Sequence, residues 1–389
     1  MGKLKNFLST NAMLVVLLLT MLLFEVMIQN QNRGSMFSPE NLTNLIGQNG
    51  YVVILATGML LCILTGGNID LSVGSIVILV GAVAGIFICN WGLDPYLSIF
   101  LCLIVGTLIG AWQAFWIAYI GIPPFITTLA GMLTFRGLAL FIMKSENIGP
   151  FPDKYKALFN DFIPGQGNEK TLTISLIIGV VICVVYVGTQ LFFHMNKNRK
   201  GYEQEKFIWL ITRLVAICGV IMFMALRLGQ NKGIPVALIL LGAIVIFYSY
   251  HTQNMVHGRY LYAMGGNQKA ARLSGVNVKN MMFFAYTNMG FLSGIAALVC
   301  VARFNQAGTQ AGTGFELDAI GACFIGGASA YGGIGKVGGA VIGAIFMGVL
   351  NMGMSILGMD MNLQRLIKGL VLLGAVIFDV LTKNRKQAA

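Results

Sequence analysis

The chain has 389 residues, 57% of them apolar and only 10% charged, against roughly 25% charged in soluble domains. That balance excludes a water-soluble enzyme. A net charge of +12 does not indicate nucleic-acid binding, because the basic residues lie between apolar stretches, where such a bias orients spans in a membrane.

Apolar runs of about 17–25 residues, the length a membrane-crossing helix requires, follow one another from Ala12 to Leu381. Lipid offers the backbone no hydrogen-bond partners, so these runs must be helices that bond internally. The predicted fold is an all-α integral membrane protein, a single domain over 1–389 with about 12 transmembrane helices, range about 10–12. The spans fall near 12–28, 50–65, 70–89, 96–120, 125–143, 171–193, 207–227, 233–250, 283–302, 315–331, 337–357 and 362–381. Lys3 and Lys5 ahead of the first run resemble the start of a signal peptide. No small-x-small cleavage site follows and the run continues to about Ile28, so an uncleaved first span is expected. With the N-terminus inside, 14 lysines and arginines fall in inner segments and 8 in outer ones, which predicts both termini on the cytoplasmic side. The outer segment 144–170, with Pro150, Pro152, Pro164 and four lysines, reads as an ordered external loop or short surface helix. An inner loop and a further span occupy about 195–228, and an inner loop occupies 251–281. The seven cysteines all lie in apolar runs, with no C-x-x-C pair and no histidine at metal-ligand spacing. They read as small apolar side chains between helices.

Glycine is abundant, with 49 residues. Many lie four apart, as in Gly81/Gly85, Gly106/Gly110 and Gly335/Gly339/Gly343, the spacing that lets helix backbones approach closely in lipid. Two denser clusters, LTGGNIDLSVGS at Leu64–Ser75 and IGGASAYGGIGKVGG at Ile325–Gly339, interrupt the apolar pattern and carry polar residues. Non-helical backbone at membrane depth survives only where protein or a water-filled cavity surrounds it, and paired interruptions point towards a transport pathway. Gly333, Gly335 and Gly338 fit the dinucleotide pattern G-x-G-x-x-G, but apolar helical runs flank it where a strand and a βαβ unit are required. Gly335-Lys336 is followed by Val337, and Ala330 stands where a Walker A loop needs its first glycine. The chain is therefore expected to bind no ATP and no other cofactor by itself, and no metal.

Charges within the spans are costly and tend to mark function. Asp70, beside Asn68 and Ser72, either caps the helix that follows or lines a path. Arg136, mid-span in TFRGLAL, must find a partner or reach water. Glu316 and Asp318 open a span after the polar stretch Asn305–Gly314, where acidic groups suit a helix N-terminus. Arg365 and Lys368 share a helical face near the outer end of the last span, where snorkelling is the default. No run of acidic groups forms a proton relay, which argues against an ion-coupled carrier. His194, His251 and His257 fall at inner span ends without a nucleophile motif nearby, so a membrane enzyme is disfavoured. On the inner side, Gly265, Gly266, Asn267, Ala270, Ala271, Arg272, Leu273, Ser274 and Gly275 lie in RYLYAMGGNQKAARLSGVNVK. Good helix formers at Gln268–Leu273, stopped by Ser274-Gly275, predict a short basic helix. It is either an ordinary charged loop or a docking element that passes rigid-body motion into the bundle.

These residues carry a resemblance. GRYLYAMGGNQKAARLSGVNV at 258–278 and AGTGFELDAIGACFIGGASAYGGIGKVGGAVIGA at 311–344 closely resemble the permease subunits of bacterial ABC importers of the ribose/xylose/galactose type. GGNIDLSVGS at 66–75 matches the same family apart from the extra Asn68, and IPPFITTLAGMLTFRGLALF at 122–141 fits it, Arg136 included. The extra material at 197–228, absent from shorter ribose-type permeases, looks like the xylose or multiple-sugar branch. The resemblance implies a multi-pass permease of the bacterial inner membrane and no enzyme. Its expected partners are two ABC ATPase subunits carrying ATP and magnesium, a periplasmic sugar-binding protein, a second permease copy and membrane lipid. The segment Gly265–Val278 would be the ATPase-coupling loop. Asn68, Asp70, Ser72 and Arg136 are candidates for the pathway, and Glu316 and Asp318 for the periplasmic side. The cargo expected is xylose or several related sugars, with ribose, galactose or a furanone signal as alternatives on the same scaffold. An ion-coupled secondary transporter is the rival of a different kind.

Overall fold

The protein is described by a computed structural model over residues 12–165, 170–199 and 207–387. Its helices are α1 (Ala12–Asn30), α2 (Pro39–Leu64), α3 (Val73–Gly85), α4 (Pro95–Phe115), α5 (Pro124–Ile142), α6 (Asp153–Asn160), α7 (Thr171–Arg199), α8 (Phe207–Gly229), α9 (Val236–Asn254), α10 (Val256–Gly266), α11 (Gln268–Leu273), α12 (Val278–Phe304), α13 (Phe315–Ile325), α14 (Val337–Ile356) and α15 (Met361–Gln387). Single π-helical turns, Ile86–Asn90 and Trp116–Ile120, extend α3 and α4. One two-residue ladder pairs β1 (Phe162–Ile163) antiparallel with β2 (Ile234–Pro235).

Local chemistry sets the helix starts. Ser38 accepts the Asn41 N–H with Pro39 in the first turn of α2. Asp94 accepts the Tyr96 and Leu97 N–H groups with Pro95 opening α4. Asn267 and Asn277 do the same for α11 and α12. Each satisfies an amide that the helix itself leaves free. Asp94 also pairs with Lys154 at 3.2 Å, tying α4 to α6, and this bond holds its carboxyl below the usual carboxylate range.

Among the described residues ten helices are long and apolar enough to cross a membrane. The expected polytopic all-α bundle is therefore present, but the count of twelve is not reached. Two predicted spans are not among the ten, 362–381 and 315–331, and the latter is short of a crossing. Its helix, α13, stops after 11 residues, about 16 Å, and residues 326–336 continue without helix. It is half a crossing. The twelfth predicted span lies within the 27-residue α15, whose rise of about 40 Å is sufficient to cross.

Two ends of the bundle can be told apart. At one, the hairpin end, β1 pairs with β2, Ile148 bridges Ala307, and Arg33 donates to the Ile356 carbonyl. The described part of the outer segment, residues 144–165, lies here and contains α6. At the other, the linker end, α10 and α11 connect α9 to α12. Asp379 of α15 accepts the Ala330 N–H there.

Helices α2, α3, α12 and α14 form the core, with Ile54, Leu60, Leu64, Val80, Leu292 and Val349 fully buried. The four-apart glycines act as the sequence predicts. Gly106 and Gly110 of α4 face Gly290 and Gly294 of α12. A Cβ on Gly110 would stand 2.7 Å from the Tyr286 carbonyl oxygen, and one on Gly290 would stand 2.6 Å from the Gly110 Cα. Backbones this close leave no room for a side chain, and the contact replaces the hydrophobic driving force that lipid removes. The additional helix α8 packs on α7 and meets the bundle along α2. Its outer face, with Ile208, Val215 and Val220, is exposed, as suits a helix added at the periphery.

Candidate functional site

The linker end is built from short-range packing. Met255 is extended between α9 and α10, and Gly258 lies so close to the Thr252 carbonyl that a Cβ would collide with it. Helix α10 is thereby folded back against the bundle, with Leu261 and Met264 buried. At its end Gly265 rests on two backbones at once, the Leu64 carbonyl that closes α2 and Gly333 in the glycine-rich loop. Tyr262 donates to the Gly335 carbonyl at 2.7 Å, and burial pushes its phenol up from the ordinary value. Asn267 then turns the chain and caps α11, accepting the Ala270 N–H at 3.0 Å.

Helix α11 is anchored by two side chains. Ala271 and Val276 are buried, while Asn267, Lys269, Ala270, Arg272, Ser274 and Gly275 are exposed. Leu273 is 90% exposed. Displacement of α11 would be transmitted to α12 through Asn277, and through α10 to the end of α2 and the 326–336 loop.

The two glycine-rich clusters meet. A Cβ on Gly67 would collide with the Ala330 carbonyl, and Gly332 has the Gly66 backbone at the same range. The Gly333 N–H reaches the Leu64 carbonyl at 3.3 Å. Deeper in the bundle, Gly74 of α3 abuts Gly312, just before α13. The two interruptions thus pack partly against each other and partly face an open cavity, the two settings in which non-helical backbone is tolerated in a membrane protein.

The polar candidates divide into three groups. Asp70 and Ser72 are buried together: the Asp70 carboxylate accepts the Ser72 N–H at 2.8 Å and its hydroxyl at 2.6 Å. Gln113 of α4 donates to the same hydroxyl at 2.7 Å. Asp70 therefore closes the start of α3. Asn68 is half-buried and donates to Thr65 at 3.0 Å. The second group brings Arg136 to Thr313, whose hydroxyl it hydrogen-bonds, and electrostatically to Glu316. The third places Asp318, almost fully buried, between Lys368 at 2.9 Å and the Tyr51 hydroxyl at 2.7 Å. Tyr51 stacks on Phe315 with ring centres 3.7 Å apart. Lys368 thus does not snorkel, as its position predicts, but turns inward. Its ammonium lies 2.9 Å from a buried carboxylate instead.

Gln113, Thr313 and Tyr51 are partners that motif reading does not single out, and Lys368 is noted there only as a snorkelling charge. Gln113 alone carries a local signal, an amide in the middle of the apolar run AWQAF. His251 and His257 stack face to face at 6.1 Å, both against Phe284, an aromatic packing arrangement. Among the described residues no group of three or more His, Cys, Asp or Glu side chains could hold a metal ion.

A helical bundle with half a crossing, two enclosed glycine-rich breaks and a helix projecting from one end has the form of a transport component. A family model described as branched-chain amino acid transport system / permease component matches residues 41–376, and the chain belongs to this family. It is similar to the xylose transport system permease protein XylH of Escherichia coli K12, 35% identical over 90% of this chain and 88% of that protein. The protein of the same name from Haemophilus influenzae is 33% identical over 97% of this chain and 98% of its own length. The ribose import permease protein RbsC of E. coli K12 is 31% identical over 90% and 88%. No solved structure matches. The resemblance to xylose- and ribose-type permeases carried by the motifs agrees with these relatives. The chain is a multi-pass membrane permease, a transport subunit and not an enzyme.

Proposed function

We propose that this chain is the membrane-spanning subunit of an ATP-driven importer, a single permease domain in the bacterial inner membrane with both termini cytoplasmic. It passes a monosaccharide, xylose or several related sugars, from a periplasmic binding protein to the cytoplasm. Two copies pair, and two ATPase subunits carrying ATP and magnesium grip α11. This chain itself holds no cofactor.

One observation carries the reading: Lys269, Arg272 and Leu273 are exposed on α11, which follows directly on α10, whose Gly265 is in backbone contact with Leu64 and Gly333 of the two glycine-rich segments. Nucleotide-driven closure of a partner around α11 would move α10, the end of α2 and the 326–336 loop as one body. By linkage, binding-protein docking at the hairpin end and nucleotide binding at the other end then alter each other's affinity.

A neutral sugar needs hydrogen-bond partners along its path without a site deep enough to trap it. Arg136, Thr313 and Glu316, partly exposed where α13 begins, are the best-placed pathway groups. Asn68 comes next, while the buried Asp70 and Ser72 support the path from behind. Asp318 stabilises the same region through Lys368. The names of the xylose permeases favour xylose, and the slightly more distant ribose permease keeps ribose as the second reading. Uptake of radiolabelled pentoses and hexoses in cells lacking other importers tests this. Transport dependent on a separate ATPase is expected, with xylose the preferred solute. Uphill uptake by the purified chain alone in liposomes would overturn it.

A further inference from the structure

At the linker end a cavity of about 680 Å³ opens between the end of α9, helix α10 and the 326–336 loop. Among its lining residues are Arg259, Lys336, Gln253, Thr252, Tyr262 and Gly335. Arg259 and Lys336 are both exposed, and no described carboxylate lines the space. Asp379, on the neighbouring α15, is turned to the Ala330 N–H instead. Two cations therefore line one open space that no described carboxylate lines. The volume lies in the range of small-ligand sites, about 300–1,000 Å³.

We propose that this cavity binds a phosphate-bearing anion, and that the anion is the headgroup of an acidic membrane phospholipid. A guanidinium and an ammonium supply the charge-assisted donors that phosphate oxygens take. Gln253 offers an amide at the mouth. The lipid origin is argued from α9. Tyr250 and Ile246 lie three and seven residues before Gln253, so all three share one helix face. Tyr250 is 57% and Ile246 72% exposed. A lipid-facing apolar stripe therefore runs directly into the charged cavity at the depth where helices end and headgroups begin. Ile334, also exposed, lines the cavity as well. This site goes beyond the transport reading and does not depend on which solute is carried. An occupant here would touch the 326–336 loop and α10 together.

Native mass spectrometry of the full-length protein in micelles, titrated with phosphatidylglycerol or phosphatidylcholine, tests the site. Preferential retention of phosphatidylglycerol is expected. A basic residue near an anionic surface contributes about fivefold to binding, so R259Q/K336Q is expected to lose roughly twenty-five-fold. R259K/K336R, which keeps both charges, is expected to retain most of the affinity. If the double glutamine variant does not fold, K336Q alone should show the fivefold loss. A parallel titration with inorganic phosphate separates the sources. Phosphate binding that R259Q/K336Q removes, without a phosphatidylglycerol preference, upholds the anion site and overturns its lipid occupant. Equal retention of both lipids with no phosphate binding overturns the proposal. So does unchanged phosphatidylglycerol binding in R259Q/K336Q.

Discussion

Removing Lys368 should destabilise the protein far more than removing an ordinary lysine near the end of a span. Its ammonium is 2.9 Å from the Asp318 carboxylate, and the two side chains are 20% and 2% exposed. At an effective dielectric constant of about 20, charges at this separation attract by on the order of 6 kcal/mol before desolvation is subtracted. In Lys368→Met the Asp318 carboxylate keeps only the Tyr51 hydroxyl and is left as an uncompensated buried charge, a change that costs about 3–5 kcal/mol. Adding Asp318→Leu removes the orphan. The double variant is expected to recover most of the loss, because a buried ion pair replaced by apolar groups of similar size is often neutral or stabilising. Thermal or denaturant unfolding of the four proteins in micelles closes the cycle, with an expected coupling of about 1–3 kcal/mol between the two sites. A Lys368→Met protein within about 0.5 kcal/mol of wild type, the range of an ordinary surface substitution, would refute the reasoning. It would mean that Lys368 reaches the interface and that α15 is not held to α13 by charge.

Three further outcomes are expected. Arg272→Glu reverses a charge on the exposed face of α11, the face proposed to meet the ATPase; uptake should be abolished while membrane insertion and thermal stability stay at wild-type levels, and near-normal uptake would remove α11 from the coupling role. Gly290→Leu places a side chain where α4 and α12 touch through backbone, so unfolding in micelles should show a loss of about 1–3 kcal/mol or more; an unchanged midpoint would mean the helices do not cross this closely. Asp70→Asn weakens the acceptor shared by the Ser72 N–H and hydroxyl, and should lower uptake of every sugar in a panel alike. A selective change of sugar preference would instead place Asp70 in contact with cargo.

Much of the architecture is written in local pattern. Long apolar runs dictate internally bonded helices because lipid accepts no other backbone. Small residues four apart mark the faces that meet, and Gly106 and Gly110 do lie in a crossing. The short basic helix after Gly266 is legible because asparagine, good helix formers and Ser-Gly occur in capping order. The short helix within the outer segment, α6 at Asp153–Asn160, matches the surface helix that its prolines and lysines suggest. The first glycine cluster and the second each announce a break.

Other features have no local signature. Which surface a glycine faces depends on a chain segment hundreds of residues away: Gly67 meets Ala330, and Tyr51 meets Asp318 across 267 positions. The run 315–331 has the apolar content of a span, yet its helix stops at Ile325. Gly326 and Gly327 release it there, and residues 326–336 settle against the neighbouring backbones of α14, α10 and the end of α2. Lys368 reads as a snorkelling lysine until Asp318 is placed beside it. Composition and periodicity determined that this protein crosses a membrane many times, since those properties depend only on each segment and its solvent. Tertiary structure alone decided which polar groups are paired inside and which face an open surface, because desolvated charges and close backbones are settled by the neighbours that folding brings to them.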